Sequence, residues 1–174
     1  MLELPAGTHH VRHAGLRYVL DEPLALPPGC CLHLTGENGA GKTTFLEHVL
    51  IPALRKGHRL LYLAQDMELQ RNTMLATLAL LGHSAPAGLA DLALAWIEAS
   101  DCREIVILDE FDKHLNSDQL RALNLPRFTW AVVVSHLSGA TARPGFAHGR
   151  ELRFTRPRSD GPDVMLKAET LWPA

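Results

Sequence analysis

Residues 30–44 read Cys-Cys-Leu-His-Leu-Thr-Gly-Glu-Asn-Gly-Ala-Gly-Lys-Thr-Thr, an apolar run that breaks into glycines and ends in Lys-Thr-Thr. The apolar run, 30–35, reads as a buried strand. Lys42 opens a segment patterned as a helix to about Arg55. Between them, residues 36–43 fit G-x-x-x-x-G-K-[ST], the phosphate-loop pattern, in the strand-then-helix setting that gives it meaning. Gly36, Gly39 and Gly41 let the backbone curl so that N–H groups, those of Glu37, Asn38 and Ala40 among them, converge on an anion. The helix that follows turns its positive end to the same anion. In this reading Lys42 reaches the β- and γ-phosphates, the Thr43 hydroxyl ligates Mg²⁺, and Thr44 adds a phosphate contact.

Working outward, the chain alternates short apolar runs with helical segments. That points to an α/β fold with a mostly parallel sheet flanked by helices. Strands are expected at 16–20, 30–35, 59–64, 104–109 and 130–135. Helices are expected at 42–55, which Pro52 should bend or end early, then at 72–81 with Asn72 as cap and Gly82 as stop, 89–99 and 117–123. Near the C-terminus two alternating runs flank Ser159-Asp160-Gly161-Pro162-Asp163, a hairpin signal. No linker divides the 174 residues, so one domain, 1–174, is expected, with 143–174 as a basic strand or hairpin appendage.

Composition sets the outer limits. With 47% hydrophobic and 21% charged residues, disorder, collagen and coiled coil are excluded as whole-chain answers. A net charge of −2 supplies no global basic field to draw in nucleic acid or anionic lipid. Cys30, Cys31 and Cys102 are odd in number and form no C-x-x-C pair, which argues against a disulfide framework or structural zinc. The opening residues carry no apolar run after a basic segment, and no apolar stretch approaches the ~18 residues of a membrane span. A cytoplasmic setting is the expectation.

A phosphate loop needs acidic partners on a neighbouring strand end, and Glu-Ile-Val-Ile-Leu-Asp-Glu at 104–110 supplies them. Asp109 would hold the outer shell of Mg²⁺. Glu110, just past the strand, would polarise an attacking water as general base. Gln65 follows the apolar run 59–64 and can ligate Mg²⁺ and sense the γ-phosphate. His136 follows 130–135 and can bond the γ-phosphate or hold Glu110. In an open parallel sheet all four strand ends meet at the carboxyl edge, where ligands bind.

These residues resemble ATP-binding cassette (ABC) ATPases. GENGAGKTT is similar to that family's Walker A, Gln65 to its Q-loop glutamine, Asp109 and Glu110 to Walker B with its catalytic glutamate, and His136 to its switch histidine. DEFDKHLN, 109–116, resembles DEPTSxLD, with Asn116 in place of the last Asp. The resemblance covers roughly 16–137. It implies a P-loop NTPase core, Mg²⁺-dependent ATP hydrolysis with Glu110, His136 and Lys42 as catalytic residues, and a homodimer or heterodimer with nucleotide at its interface. For Tyr18 two readings stand: an aromatic that stacks on adenine, or a core strand tyrosine.

Departures from the family matter too. The helical region, 65–108, is short, and no LSGGQ signature is spelled out. Ser-Ala-Pro-Ala-Gly at 84–88 falls near its place, as a phosphate contact in trans through Ser84 and Gly88 or as an interhelical turn. His9, His10 and His13 read as a metal cluster or, more simply, a solvated tail. Arg143, Arg150, Arg153, Arg156 and Arg158 read as a nucleic-acid or acidic-partner face, or as a charge-protected edge. The leading expectation is a soluble ABC-type ATPase that couples nucleotide-driven dimerisation to a protein partner. Its alternatives are the ATP-binding subunit of a small transporter with a membrane partner, which the short helical region disfavours, a DNA-associated ATPase, and a small-molecule kinase.

Overall fold

The computed structural model describes residues 1–113, 115, 119, 123–134, 145–157 and 161–172. In chain order its strands are β1 (Leu2–Leu4), β2 (Gly7–Val11), β3 (Leu16–Leu20), β4 (Leu24–Leu26), β5 (Cys30–Gly36), β6 (Leu60–Leu63), β7 (Ile105–Asp109), β8 (Trp130–Val134), β9 (His148–Thr155) and β10 (Asp163–Trp172). β1 and β4 form a small antiparallel pair. The other eight form one mixed sheet in the order β2-β3-β10-β9-β5-β8-β7-β6. Among the described residues five of its seven ladders are parallel, so the mostly parallel expectation holds.

The three continuous apolar runs became β5, β7 and β8, adjacent at the middle of the sheet. A strand covered on both faces needs apolar residues at every position. Their alternate residues divide between two cores. Leu32, Leu34, Ile107 and Val132 pack with Phe45, Leu46 and Leu50 on one face. Cys31, Val106, Leu108 and Val133 pack with Met74, Leu78, Leu92 and Ile97 on the other.

The C-terminal hairpin departs from expectation. β9 and β10 do pair antiparallel, but β9 also runs parallel to β5 over Cys30–Gly36, and β10 runs parallel to β3. β9 and β10 are thus an integral part of the sheet, not an appendage. β9 joins the mixed side of the sheet, β2-β3-β10, to its all-parallel half, β5-β8-β7-β6.

The helix after the glycine loop is continuous but not uniform. α1 (Lys42–Phe45) passes into a π turn at Leu46–Leu50 and then α2 (Ile51–Leu54). Pro52 has no N–H to give the carbonyl four residues back, and the wider turn absorbs that loss, with the Ile51 N–H bonded to Leu46 O. The helix therefore neither ends nor breaks at Pro52. α3 (Arg71–Leu80) begins one residue before the expected Asn72 cap. A 3₁₀ turn, Met67–Gln70, feeds it, and there Asp66 accepts the Glu68 N–H. Gly82, at φ 75°, ends it as expected, with the His83 N–H closing on Leu78 O at 2.9 Å. α4 (Leu89–Ala99) matches its reading. The expected 117–123 helix lies, apart from Gln119 and Leu123, outside the described residues. Among the described residues no helix is long and apolar enough to cross a membrane.

Candidate functional site

The parallel ladders β5-β8-β7-β6 bring their carboxyl ends to one edge, and the sequence-derived residues gather there. Gly36 ends β5 at φ 139°. Gly39 and Gly41 have φ 76° and 91°, left-handed values that a side chain would oppose. Gly36 is also held by space: a Cβ there would lie 2.6 Å from the carbonyl oxygen of Phe154 on β9. Between the glycines, the Ala40 N–H bonds to Glu37 O at 3.1 Å and closes the curl. Lys42 is buried, and its Nζ donates to Gly36 O at 2.9 Å and Glu37 O at 3.0 Å. The ammonium is thus held against the loop's own backbone. Burial lowers its proton affinity, against the pull of Glu110 and Asp109.

Asp109 ends β7 fully buried, and its Oδ1 accepts from Thr43 Oγ1 at 3.3 Å. Burial pushes its carboxyl up to about 6, against the Thr43 hydrogen bond, and the Glu110 and Glu47 carboxylates add to the rise. Tyr62 on β6 bridges Glu47 Oε1 at 2.9 Å and Asp109 Oδ2 at 3.5 Å, so the carboxylate is fixed on both sides. Glu110 follows at φ 49°, the one non-glycine residue with positive φ among those described. Its N–H continues the ladder to Val134 O at 2.9 Å. Strain of this kind persists where the surroundings over-determine it. Gln65 donates from Nε2 to Glu110 Oε2 at 2.6 Å, and Lys113 Nζ pairs with the same oxygen.

These side chains enclose a cleft of about 360 Å³, lined by Leu16, Asn38, Gly39, Gly41, Lys42, Thr43, Thr44, Gln65, Glu110 and Lys113. Its hydroxyls, N–H groups and two ammonium groups are donors to an anion, with the Glu110 carboxylate beside them. Gln65 faces Glu110 through its amide nitrogen, while Thr43 and Asp109 form the oxygen pair. Leu16 belongs to no motif, and Lys113 lies within 109–116 at a position to which the resemblance gives no role. Lys113 had one sequence signal: it stands three residues after Glu110, a spacing that one turn brings together. Leu16 had none.

Tyr18 is a correction. It has no exposed surface, its ring packs on Phe45 and Phe154 at 5.1 and 6.2 Å, and its hydroxyl donates to Gly41 O at 2.8 Å. Burial pushes its phenol up to about 12. A ring closed on both faces cannot stack on a base; Tyr18 braces the loop from beneath. His136, Asn116, Arg143 and Arg158 lie outside the described residues. Residues 84–88 join α3 to α4 and line no part of the cleft.

Solved structures share this fold. One, a crystal structure of the complex of archaeal ribosomal stalk protein aP1 and archaeal ribosome recycling factor aABCE1, matches with a TM-score of 0.63 and 18% identity over 98% of this chain. This chain spans 40% of that chain's length. Another, described as the ATP binding subunit of an ABC transporter, matches with a TM-score of 0.56 and 14% identity, covering 97% of this chain and 89% of that one. No family model and no curated protein matches the sequence. The chain has an ABC-like α/β fold.

The histidines lie on the sheet and beside it, not in a free tail. His9 and His10 sit on β2, and His13 lies beside His48, with their Nε2 atoms 3.2 Å apart. Among the described residues no group of three His, Cys, Asp or Glu could hold a metal. The arginine face is divided. Arg153 pairs with Glu151, while Arg156 reaches Gly39 O at 3.5 Å and Gly161 O at 3.2 Å.

Proposed function

We propose that this chain is a P-loop ATPase of the ABC type, binding Mg-ATP in the cleft and hydrolysing it. One observation carries the reading. The glycine loop, Glu110 after β7 and Gln65 after β6 line one cleft at the carboxyl edge, and Asp109 is bonded to Thr43 of that loop from behind.

In this reading the loop amides and Lys42 bind the β- and γ-phosphates, and Thr44 adds a hydroxyl. The Thr43 hydroxyl would ligate Mg²⁺, and the Asp109 carboxylate, 3.3 Å from it, would hold the ion's outer shell. The ion would neutralise charge on the phosphates as the terminal bond breaks. Glu110 takes a proton from the water that attacks the γ-phosphorus, and ADP leaves. Gln65 orients the Glu110 carboxylate, and His136 would assist as the resemblance implies. The chain would work as a pair with nucleotide between two copies or with a related partner, residues 84–88 supplying the contact in trans. It would pass the resulting motion to a protein partner.

Two substitutions test this. Lys42→Ala should abolish nucleotide binding measured by calorimetry, and unchanged ATP affinity would refute the loop assignment. Glu110→Gln should bind ATP normally but release phosphate at least about a hundredfold more slowly, as expected for loss of a general base. Normal turnover in that variant would remove Glu110 from the mechanism. The mass of Glu110→Gln in solution with Mg-ATP then decides between dimer and monomer.

A further inference from the structure

Lys113 is the charged residue of the cleft that the mechanism above leaves without a role. It sits at the end of a 3₁₀ turn, Phe111–Lys113, whose Lys113 N–H returns to Glu110 O at 3.1 Å. That turn fixes the lysine backbone directly over the glutamate. The Lys113 ammonium then pairs with Glu110 Oε2, the oxygen Gln65 already holds. The two partners differ sharply in exposure: the Glu110 side chain is 9% exposed and that of Lys113 47%. The glutamate is fixed, while the lysine stem has room to swing into the same cleft as Lys42, Thr43 and Thr44.

We propose that Lys113 is a γ-phosphate contact supplied by the chain itself, which exchanges the Glu110 carboxylate for the terminal phosphate of ATP. The inference rests on the ATPase reading and deepens it. The physical argument is one of competing partners. A lysine ammonium is a compact point charge with three donors on a flexible stem. A terminal phosphate carries more negative charge and more acceptor oxygens than a carboxylate, so when one enters beside Glu110 it is the stronger partner. The exchange has two consequences. It adds a cation to the phosphate without recourse to a second chain. It also removes one donor from Glu110 Oε2, which weakens the hold on the carboxylate as the attacking water arrives. The base is engaged by lysine until the substrate that needs it arrives. ADP has no terminal phosphate to draw the lysine away, so ATP and ADP are told apart by this residue.

The test compares affinities for Mg-ATP and Mg-ADP, by calorimetry, in the wild type, Lys113→Met, Lys113→Arg and Lys42→Ala. Loss of a charge-assisted contact to phosphate should weaken ATP roughly tenfold in Lys113→Met. ADP affinity should stay within about twofold. Lys113→Arg, which keeps the charge, should recover most of the ATP affinity. In steady state the Met variant should raise KM for ATP more than it lowers kcat. If ATP and ADP weaken in step, or if neither changes while Lys42→Ala loses both, Lys113 is a structural partner of Glu110. The inference then falls while the ATPase reading stands. If Lys42→Ala binds ATP as the wild type does, the ATPase reading fails and the inference with it. Lys113→Gln serves as a second neutral variant should Met disturb folding.

Discussion

Asp109 should make the protein less stable at neutral pH than its own amide analogue. The carboxyl is fully buried, and its pKa is raised from 3.8 to about 6, mainly by burial. The folded chain therefore binds the proton more tightly than the unfolded chain does. Between those two pH values the folded state holds more protons, so stability falls as pH rises through the window and stays at its reduced level above it. A gap of roughly two pH units corresponds to about 3 kcal/mol as an upper bound. Asp109→Asn keeps an acceptor for the Thr43 hydroxyl and never ionises. Urea denaturation, followed by tryptophan fluorescence in chelator-treated buffer, should show the variant more stable than the wild type above pH 6, by up to about 3 kcal/mol. The difference should shrink as pH falls and vanish below 3.8. Mg-ATP should reverse the ranking. Ligand at a thousand times its Kd adds about 4.1 kcal/mol to a chain that binds it, more than the deficit of up to about 3 kcal/mol, and in the ATPase reading the variant lacks a carboxylate of the site. A variant less stable at neutral pH, or a difference that ignores pH, would refute the account of Asp109 as a buried charge held for a cation.

Two other substitutions probe the loop's supports. Tyr18→Phe removes the hydrogen bond to Gly41 O, so urea denaturation should show a loss of about 1 kcal/mol, with weaker ATP binding if the loop loosens. Gly36→Ala places a Cβ against the Phe154 backbone at a left-handed φ. It should lower stability by about 1–3 kcal/mol in thermal unfolding, and an unchanged transition would show that β9 does not confine the loop.

The sequence announced the parallel half of the sheet more clearly than the rest. β5, β7 and β8 were legible because burial on both faces leaves an unbroken apolar run. Their junctions with Gly36, Asp109 and Glu110 followed from where each run stopped. β9 and β10 were legible as a hairpin, but not in their place, since nothing local says which strand a hairpin will lie beside. Tyr18 shows a related limit. On sequence, an aromatic near a nucleotide loop and an aromatic in a core strand look the same, and only the packing of Phe45 and Phe154 separates them. Pro52 is expected to bend the helix or end it early, because it lacks an N–H and its ring crowds the carbonyl four residues back. The π turn shows that a wider helix can absorb that loss.

The position of β9 bears on how the cleft comes into being. β5, which carries the glycine loop, is flanked by β8 on one side and β9 on the other, and β9 begins only at His148. Both ladders join segments far apart in sequence, the kind of contact that slows folding because a long loop must close before any hydrogen bond forms. On a ribosome, residues 36–44 emerge well before Phe154, which braces them, has been made. Until β8 and β9 follow, the nascent chain would carry its glycine loop on an unpaired strand. In the ATPase reading, capacity to hold an anion would wait for those two strands.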